Sequence, residues 1–404
     1  MRLSTNTIFT ANVSRLNEIQ TGIVRTQQQI STGRRILTPA DDPIGAAQVL
    51  DLTQGKSINT QFATNRQNTS NSLSAEEQVL QGTTSLLQDV KTLAISAGNG
   101  AFSDAERRYL ATDLTNRLAE LQGQANSTDG TGNYLFGGFK VTTEPFTQSA
   151  AGITYSGDQG QRFGQVGTSR QIALSDSGEA VFEKIRSQGV YTTAAAPANT
   201  GSANVSRLGL SDPKLLKPND YDIKFAVTAG VTTYSVLDKT AGTTLSAGNP
   251  YASNVPIVFD GRTLTVTDGT TGPANGDVFT VREDKHQSIF KTIGDLITAL
   301  QAPTNSPQAK AELDQSLSIA NGNIDNALDN VLTVRASIGS RLKELDAMDS
   351  AGADRDFQYA QALQQVQDVD YNKAISDFTQ QNTALEAAQK TFVKVSSMSL
   401  FSLL

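Results

Sequence analysis

Residues 371–395 read YNKAISDFTQQNTALEAAQKTFVKV, and their apolar residues recur in steps of three and four. That spacing is typical of a coiled-coil seam along one side of an α-helix. The seam residues are Tyr371, Ala374, Phe378, Leu385, Ala388, Phe392 and Val395. A matching seam lies at the amino end, at Phe9, Val13, Leu16, Ile23 and Ile30. Because a lone helix with one apolar stripe is marginal in water, we expect the two ends to pair with each other, and then with a neighbouring copy.

Composition excludes several classes of function. The chain has 404 residues, more than one core usually serves, and a net charge of −7 that argues against nucleic acid as a general partner. It has no cysteine and a single histidine, His286, so disulfides and thiolate zinc sites are excluded. His286 follows Glu283-Asp284-Lys285, and we interpret it as a surface residue at a strand-to-helix junction.

No motif for catalysis or for binding a cofactor or metal emerges. The chain contains no phosphate loop, no His-Glu-x-x-His and no Gly-x-Ser-x-Gly. Asp368 and Asp370 form the most suggestive acid pair, but we predict that they lie on the solvated face of a helix. There is also no apolar run of membrane-spanning length and no cleavable signal segment. The sequence therefore predicts a protein that is not an enzyme and binds no cofactor.

Local signals predict where the amino-terminal helices begin and end. A first helix is expected over residues 5–32, closed by Gly33 in a left-handed conformation. In the connector that follows, either Thr38 or Asp42 is a candidate cap for the next helix, since each precedes a proline. The cap connector consists of Thr38, Asp41, Asp42 and Pro43. A long helix is then expected from residue 44 to 97, and Ser103 with Glu106 forms a capping box that opens another.

The middle of the chain alternates apolar and polar residues, as half-buried strands do, between turns such as Asp260-Gly261. Helix is expected again from about Ser288, with a regular apolar seam from Leu313 to Met348 that only Arg341 interrupts. We predict that residues 350–353 break this helix and that the terminal helix begins near Asp354.

These elements predict an α+β fold: an elongated helical rod with paired terminal coiled-coil helices and an inserted antiparallel β domain. The expected terminal domain comprises residues 1–35 and 355–404. The rod domain, with a short β region, comprises 36–187 and 286–354. The inserted β domain comprises 188–285.

Several motifs resemble the flagellin-related axial proteins of bacterial flagella. They are Met1-Arg2-Leu3-Ser4-Thr5, Ser31-Thr32-Gly33-Arg34-Arg35, Thr38-Pro39-Ala40-Asp41-Asp42-Pro43-Ile44-Gly45, Asn133-Tyr134-Leu135-Phe136-Gly137-Gly138 and the ending Met398-Ser399-Leu400-Phe401. Flagellin itself usually has alanine after the paired aspartates. The proline at this position, Pro43, instead resembles the sequences of the family members found at the junction between hook and filament.

The resemblance implies a structural subunit of the flagellum that joins the hook to the filament. The implied partners are the hook-side junction protein, flagellin, and other copies of the chain in a ring or helical layer. It further implies a cytoplasmic export chaperone on the carboxyl helix, export without a cleaved signal peptide, and an extracellular location. No nucleic acid and no membrane insertion are expected.

Other functions stay open on the sequence alone. The chain could be a flagellin filament subunit, it could carry a glycan-acting enzyme within residues 188–285, or it could be a secreted adhesin. We also expect Gln20, Gln27, Gln364, Gln367 and Gln381 to interrupt the seams with polar groups that set their register and keep a free monomer soluble.

Overall fold

The computed structural model describes residues 5–401 except 151, 188 and 207, and omits the side chains of 5–8, 213 and 395–401. The helices are α1 (Thr5–Thr32), α2 (Pro43–Ala97), α3 (Asp104–Ala125), α4 (Ile289–Gln301), α5 (Pro307–Gln367) and α6 (Tyr371–Phe401). The predicted limits of the first two helices are confirmed. Within the described residues, none of the helices is long and apolar enough to span a membrane.

Fifteen short strands separate α3 from α4 in the described chain. Before the inserted domain lie β1 (Phe146–Ser149), β2 (Gly152–Tyr155), β3 (Phe163–Gln165), β4 (Gln171–Ala173) and β5 (Ile185–Arg186). The following strands are β6 (Tyr191–Ala195), β7 (Asn204–Val205), β8 (Gly209–Leu210), β9 (Tyr221–Thr228), β10 (Val231–Asp238), β11 (Thr243–Pro250), β12 (Pro256–Phe259), β13 (Arg262–Thr267), β14 (Val278–Glu283) and β15 (His286–Gln287).

The inserted domain is antiparallel, as predicted. One sheet has the strand order β11-β10-β9-β14-β6, and another has the order β12-β13-β7, with β8 also paired to β13. Alternate residues of β13 are buried, so the period-two pattern of the sequence corresponds to one face packed on a shared core. That core includes Ile223, Phe225, Leu264, Val266 and Phe279.

Turn chemistry joins β12 to β13. Phe259 is paired with Arg262, which leaves Asp260 and Gly261 as a two-residue turn, and both have positive φ, 36° and 73°. Those angles match a type I′ turn, for which Asp-Gly is a preferred pair. A Cβ at Gly261 would also collide with the carbonyl oxygen of Asp212.

By its internal contacts the described chain divides into two compact units. Unit 1 comprises residues 1–66, 166–169 and 346–404, and unit 2 comprises 67–165 and 170–345. The three domains expected from the sequence, with limits at 35, 187, 285 and 354, stay a proposal.

Within unit 2, the capping box and the apolar seams are confirmed. The Ser103 side chain accepts from the Glu106 N–H, and the Glu106 carboxylate accepts from the Ser103 N–H at 2.7 Å. Helix α3 runs antiparallel to α2, since Thr83 bonds to Gln124 and Asp89 lies 3.7 Å from Arg117. The seam of α5 is buried at Leu313, Leu317, Ala320, Ile324, Ala327, Val331, Ile338 and Leu345.

The predicted helix break at residues 350–353 is wrong, because α5 continues to Gln367. Within unit 1, Asn59 donates to the Gly352 carbonyl at 2.8 Å. A Cβ at Gly352 would also collide with the guanidinium of Arg66, which is buried and ion-paired with Asp349. The glycine therefore allows close approach by Arg66 and does not end the helix.

The expectation for Asp368 and Asp370 is confirmed in that both are exposed to solvent, but it is wrong in placing them on a helix. Neither lies on a helix face, since residues 368–370 form the connector between α5 and α6. Asp370 accepts from the Lys373 N–H at 3.2 Å, and its carbonyl accepts from the Ala374 N–H at 2.8 Å. Asp370 is therefore the cap of the terminal helix.

Candidate assembly surface

The helices α1 and α6 of unit 1 lie antiparallel against each other, so the two ends of the chain pair. Towards the amino end of α1, the ring centroids of Phe9 and Phe392 are 5.2 Å apart. Towards its carboxyl end, the Thr26 hydroxyl bonds to Oε1 of Gln381 at 3.2 Å. The pairing of early with late residues fixes the antiparallel orientation.

The predicted seam residues on this pair are only partly covered. Ala374 is buried, whereas Phe9 and Tyr371 each keep 51% of their surface exposed. The half-buried members are Val13, Leu16, Ile23, Ile30, Phe378, Leu385, Ala388 and Phe392. The side chain of Val395 lies outside the described part of the chain. Two helices therefore do not remove this apolar surface from water by themselves.

One polar contact lies inside the pair. Thr26 is buried, and its hydroxyl lies 3.0 Å from the Gly22 carbonyl as well as within reach of Gln381. The Gln381 amide passes over Gly22, where a Cβ would be 3.5 Å from it. A side-chain amide held between the helices fixes their register at this point, as a single polar seam residue does in coiled coils.

The expectation for Gln20 and Gln27 is wrong, because both are exposed. Their neighbours Ile19, half-buried, and Thr26, buried, occupy the seam instead. Along a heptad seam, successive seam positions are separated by three and then four residues, or by four and then three. Ile19 lies three residues after Leu16 and four before Ile23, so this apolar residue was the signal for the first order.

Other apolar side chains of the pair were not anticipated by the seam pattern. Val24 on α1 and Ile375 on α6 are more than half exposed. They stand outside the three-and-four spacing, so their apolar character alone was the available signal. They add to the apolar surface that the pair presents to solvent.

Backbone hydrogen bonds join the connector after α1 (residues 33–42) to the end of α5 and the connector that follows it (residues 367–370). They lie at the base of the pair, where α1 ends and α6 begins. Gly33 has φ of 70°, the left-handed conformation expected of a helix-closing glycine. Its carbonyl accepts from the Val369 N–H at 3.0 Å, and the Arg35 N–H donates to the Gln367 carbonyl at 2.7 Å. A Cβ at Gly33 would be 3.0 Å from the Tyr371 hydroxyl. These contacts tie the end of α1 to the start of α6.

Of the two candidate caps for α2, the structure uses Asp42. Its Oδ1 accepts from the Gly45 N–H at 2.9 Å, and Pro43 is the first helical residue. Gly45 is also required sterically, since a Cβ there would be 2.6 Å from Ile36 and 2.5 Å from Asp42. Thr38 instead belongs to a turn in which its carbonyl accepts from the Asp41 N–H at 3.0 Å.

Both aspartates of the connector are held in the ionised form. Asp41 accepts from the N–H groups of Thr38 and Leu37 at 2.8 and 3.0 Å, and these bonds, the first above all, lower its pKa. The Gly45 N–H and then the Arg35 guanidinium lower the pKa of Asp42. Hydrogen bonds to a carboxylate stabilise its charge, so the connector stays anionic at neutral pH.

Two ion pairs link this connector to its surroundings. Arg25 of α1 lies 2.9 Å from Asp41, and Arg35 lies 3.1 Å from Asp42 while also donating to the Val366 carbonyl at 2.9 Å. Arg25 and Arg35, two single basic residues near the amino end, thus meet acidic neighbours within the same chain.

Elsewhere, His286 is exposed in β15, directly before the Ser288 cap of α4, as predicted. Among the described residues, no group of three or more His, Asp or Glu side chains could hold a metal ion.

Comparison with known proteins agrees with this arrangement of terminal helices and inserted strands. Residues 3–140 match the family model described as the bacterial flagellin N-terminal helical region. Over all 404 residues, and 99% of the relative, the chain is 29% identical to flagellar hook-associated protein 3 of Salmonella typhimurium. The Escherichia coli protein of the same name is 28% identical over the same span.

A solved structure and a flagellin are also similar to this chain. The flagellar junction protein FlgL from Legionella pneumophila is 29% identical with a TM-score of 0.54, over 80% of this chain and 100% of that one. Flagellin of Listeria monocytogenes matches only 129 residues, 32% of this chain and 45% of the flagellin, at 26% identity. The amino-terminal region of the chain is thus similar to that of the flagellins, a class of axial proteins. Over its whole length, the chain is similar to hook-associated protein 3.

Proposed function

We propose that this chain is a structural subunit of the bacterial flagellum that joins the hook to the flagellin filament. The observation that carries the proposal is similarity along the whole length to hook-associated protein 3, including both terminal helices. A structural role accords with the distribution of its apolar groups, which lie along paired helices at the chain ends.

The alternative of a flagellin filament subunit is not favoured. The flagellin match is limited to about a third of this chain. Residues 191–283 of this chain build the inserted antiparallel domain, which has a core of its own.

We propose that the partly covered α1 and α6 pair is the assembly interface. The seam residues that remain half-buried, together with exposed Phe9 and Tyr371, supply the apolar surface. A partner helix laid along this surface would bury it, the usual way in which an amphipathic helix is recognised. Head-to-tail contacts between copies would give a ring or helical layer with a different protein on each side.

The partners on this proposal are the hook-side junction protein, flagellin and further copies of the chain. A cytoplasmic chaperone would cover the seam of α6 before export, because an uncovered apolar stripe favours premature association. The protein would leave the cell without a cleaved signal peptide, and its terminal helices would become fully ordered on assembly.

The test is complementation of a motile bacterium whose own hook-associated protein 3 gene is deleted. The decisive variant is Leu385→Asp, which places a charge in the half-buried seam of α6. The matched control is Thr383→Asp on the exposed side of the same helix, two residues away. We expect wild type and control to restore attached filaments, and Leu385→Asp to leave hooks bare while flagellin is shed into the medium.

Electron microscopy of hooks and immunoblots of secreted protein distinguish assembly from export. If the Leu385→Asp protein is found in the medium, its absence from the hook reports on assembly; if it stays in the cell, the defect lies in export. Filaments attached normally in cells that carry only Leu385→Asp would disprove the assigned interface. Failure of the wild-type chain, expressed and secreted, to support any filament would disprove the proposed function.

A further inference from the structure

A cavity of about 720 Å³ lies within unit 2, between the inserted strands and the helices α4 and α5. Its walls are largely apolar, with Leu208, Leu216, Leu296, Leu313 and Ile319 among the lining residues. The volume falls in the range typical of small-molecule sites, roughly 300 to 1,000 Å³. The assembly surface of unit 1 does not include any of these residues.

A buried cation lines this cavity. Arg262 of β13 is only 5% exposed, yet its Nη1 has no hydrogen-bond partner. Among the described residues, no carboxylate forms an ion pair with it. Its guanidinium carbon lies 4.1 Å from the ring centroid of Tyr191 and 5.8 Å from that of Tyr221. Stacking on aromatic faces offsets part of the cost of burying the charge, but it leaves the donor unused.

A buried acceptor lines the same cavity. Gln287 of β15 is 5% exposed, its Nε2 donates to Asp295 at 3.1 Å, and its Oε1 has no partner. Buried side-chain polar atoms normally have at least one hydrogen-bond partner, and leaving one unpaired is costly. Two residues of the cavity lining, Arg262 and Gln287, thus each have a buried polar atom without a hydrogen-bond partner.

Two other charged groups of the lining, Lys217 and Asp295, form ion pairs, whereas the carboxylates of Glu283 and Glu312 form none among the described residues. Lys217 bonds to Asp260 at 3.2 Å, and Glu283 accepts from the Gly189 N–H at 3.3 Å. Asp295 is bonded by Lys291 at 2.9 Å as well as by Gln287. Of the two cations in the lining, Arg262 is the one without an ion pair among the described residues.

We propose that this cavity binds a small amphipathic anion, with a single carboxylate beside the guanidinium of Arg262 and an apolar body against the leucine walls. Arg262 is the buried cation of the lining that has no ion pair, so one negative charge suits it. A bond between a guanidinium and a carboxylate is among the stronger hydrogen bonds in proteins. The apolar lining supplies the remaining attraction by removing the body of the ligand from water.

The test uses decanoate as the probe and isothermal titration calorimetry of the full-length protein at pH 7.5, below the micelle concentration. Decanol, equal in length but uncharged, tests the role of the carboxylate. We expect Arg262→Gln to weaken decanoate binding about tenfold or more, as expected for loss of a charged hydrogen bond. Decanol should bind both proteins alike, and more weakly than decanoate binds wild type.

Two further variants serve as controls for the binding experiment. Arg170→Gln removes an exposed arginine of unit 2 that is paired with Glu344, and it should bind decanoate as wild type does. Ala299→Phe fills the cavity from α4 without touching the charge, and it should abolish binding of both probes. Circular dichroism establishes that each variant is folded, and if Arg262→Gln is not, Ala299→Phe decides. No binding to wild type, or equal decanoate binding by wild type and either cavity variant, would overturn the proposal.

Discussion

Glu76, on α2, should make the stability of unit 2 fall as the pH rises through neutrality. The residue is fully buried, its Oε1 accepts from the Asp176 N–H at 3.1 Å, and its Oε2 has no partner. Burial, followed by the negative charge of Asp176, raises the pKa of Glu76 to about 8. Asp176 raises the pKa of Glu76 even though the Arg341 guanidinium donates to Asp176 at 2.9 Å. The folded protein therefore holds a proton on Glu76 at neutral pH.

The sign and size of the effect follow from linkage. An unfolded glutamate titrates near 4.5, so between that pH and about 8 the folded state binds one proton more than the unfolded state. The stabilising effect of the neutral side chain is complete below the unfolded pKa, declines through this window and is lost above the folded pKa. The slope is about 1.4 kcal/mol per pH unit, so the free energy of unfolding should fall by about 2 to 3 kcal/mol from pH 5.5 to 7.5.

The perturbation is Glu76→Gln, which keeps the shape and removes the titration. Urea unfolding followed by circular dichroism at 222 nm, at pH 5.5, 6.5 and 7.5, gives the free energy for both proteins. The variant minus wild-type difference cancels the groups they share, and it should grow by about 2 to 3 kcal/mol over this range.

Glu344→Gln is the control, because a hydrogen bond from Arg170 lowers the pKa of Glu344. That residue is ionised in both states throughout the range, so its difference from wild type should be flat. A flat difference for Glu76→Gln as well would refute the argument, since Glu76 would then be ionised in the folded protein.

Two further predictions concern glycine and capping. Gly352→Ala should destabilise by about 1 to 3 kcal/mol because its Cβ displaces the buried Arg66 guanidinium, whereas Gly339→Ala on the same helix, with open space around it, should stabilise by up to about 1 kcal/mol. Thermal melts of the two variants should therefore shift in opposite directions, and equal shifts would contradict the packing argument. Ser103→Ala should lower stability by about 1 kcal/mol through loss of the capping box with Glu106, as measured by urea unfolding; an unchanged midpoint would count against it.

Helix boundaries were predictable wherever they depend on short-range chemistry. Gly33 closes α1, Asp42 with Pro43 opens α2, and Ser103 opens α3, each through groups within a few residues of the boundary. The strands of the inserted domain were predictable for the same reason. Their alternation and their Asp-Gly turns are local properties.

The end of α5 was not predictable, because a tertiary contact determines it. No glycine or proline marks residues 368–370, and an apolar seam follows directly. The helix stops there because the Val369 N–H bonds to the Gly33 carbonyl of the other connector, more than 300 residues earlier in the chain. For residues 350–353 the prediction erred in the opposite direction, since it placed a helix end where the helix continues. Their small side chains are typical of a break, but Gly352 lies inside α5, and its lack of a Cβ leaves room for Arg66.

The candidate assembly surface was partly predictable for a related reason. A heptad pattern predicts which side of a helix is apolar, and the half-buried seam residues follow it. It does not predict how much of that side a single partner covers, which depends on the diameter and crossing of the two helices. The extent of burial was therefore the information that the sequence lacked for these seam residues.

The contrast between the base of the terminal pair and its sides bears on how such a subunit can assemble. At the base, backbone bonds from Gly33 and Arg35 to residues 367–369 fix the register of α1 against α6 through groups that no neighbouring subunit needs to supply. Along the sides, the apolar seams remain half-exposed, so further helices can still gain free energy by packing on them. On the proposed function, the register of α1 against α6 is therefore set within the subunit, and neighbouring subunits bury the remaining apolar surface of the seams. The internal pairing then limits the entropy that must be lost when the layer forms, since α1 and α6 already lie side by side.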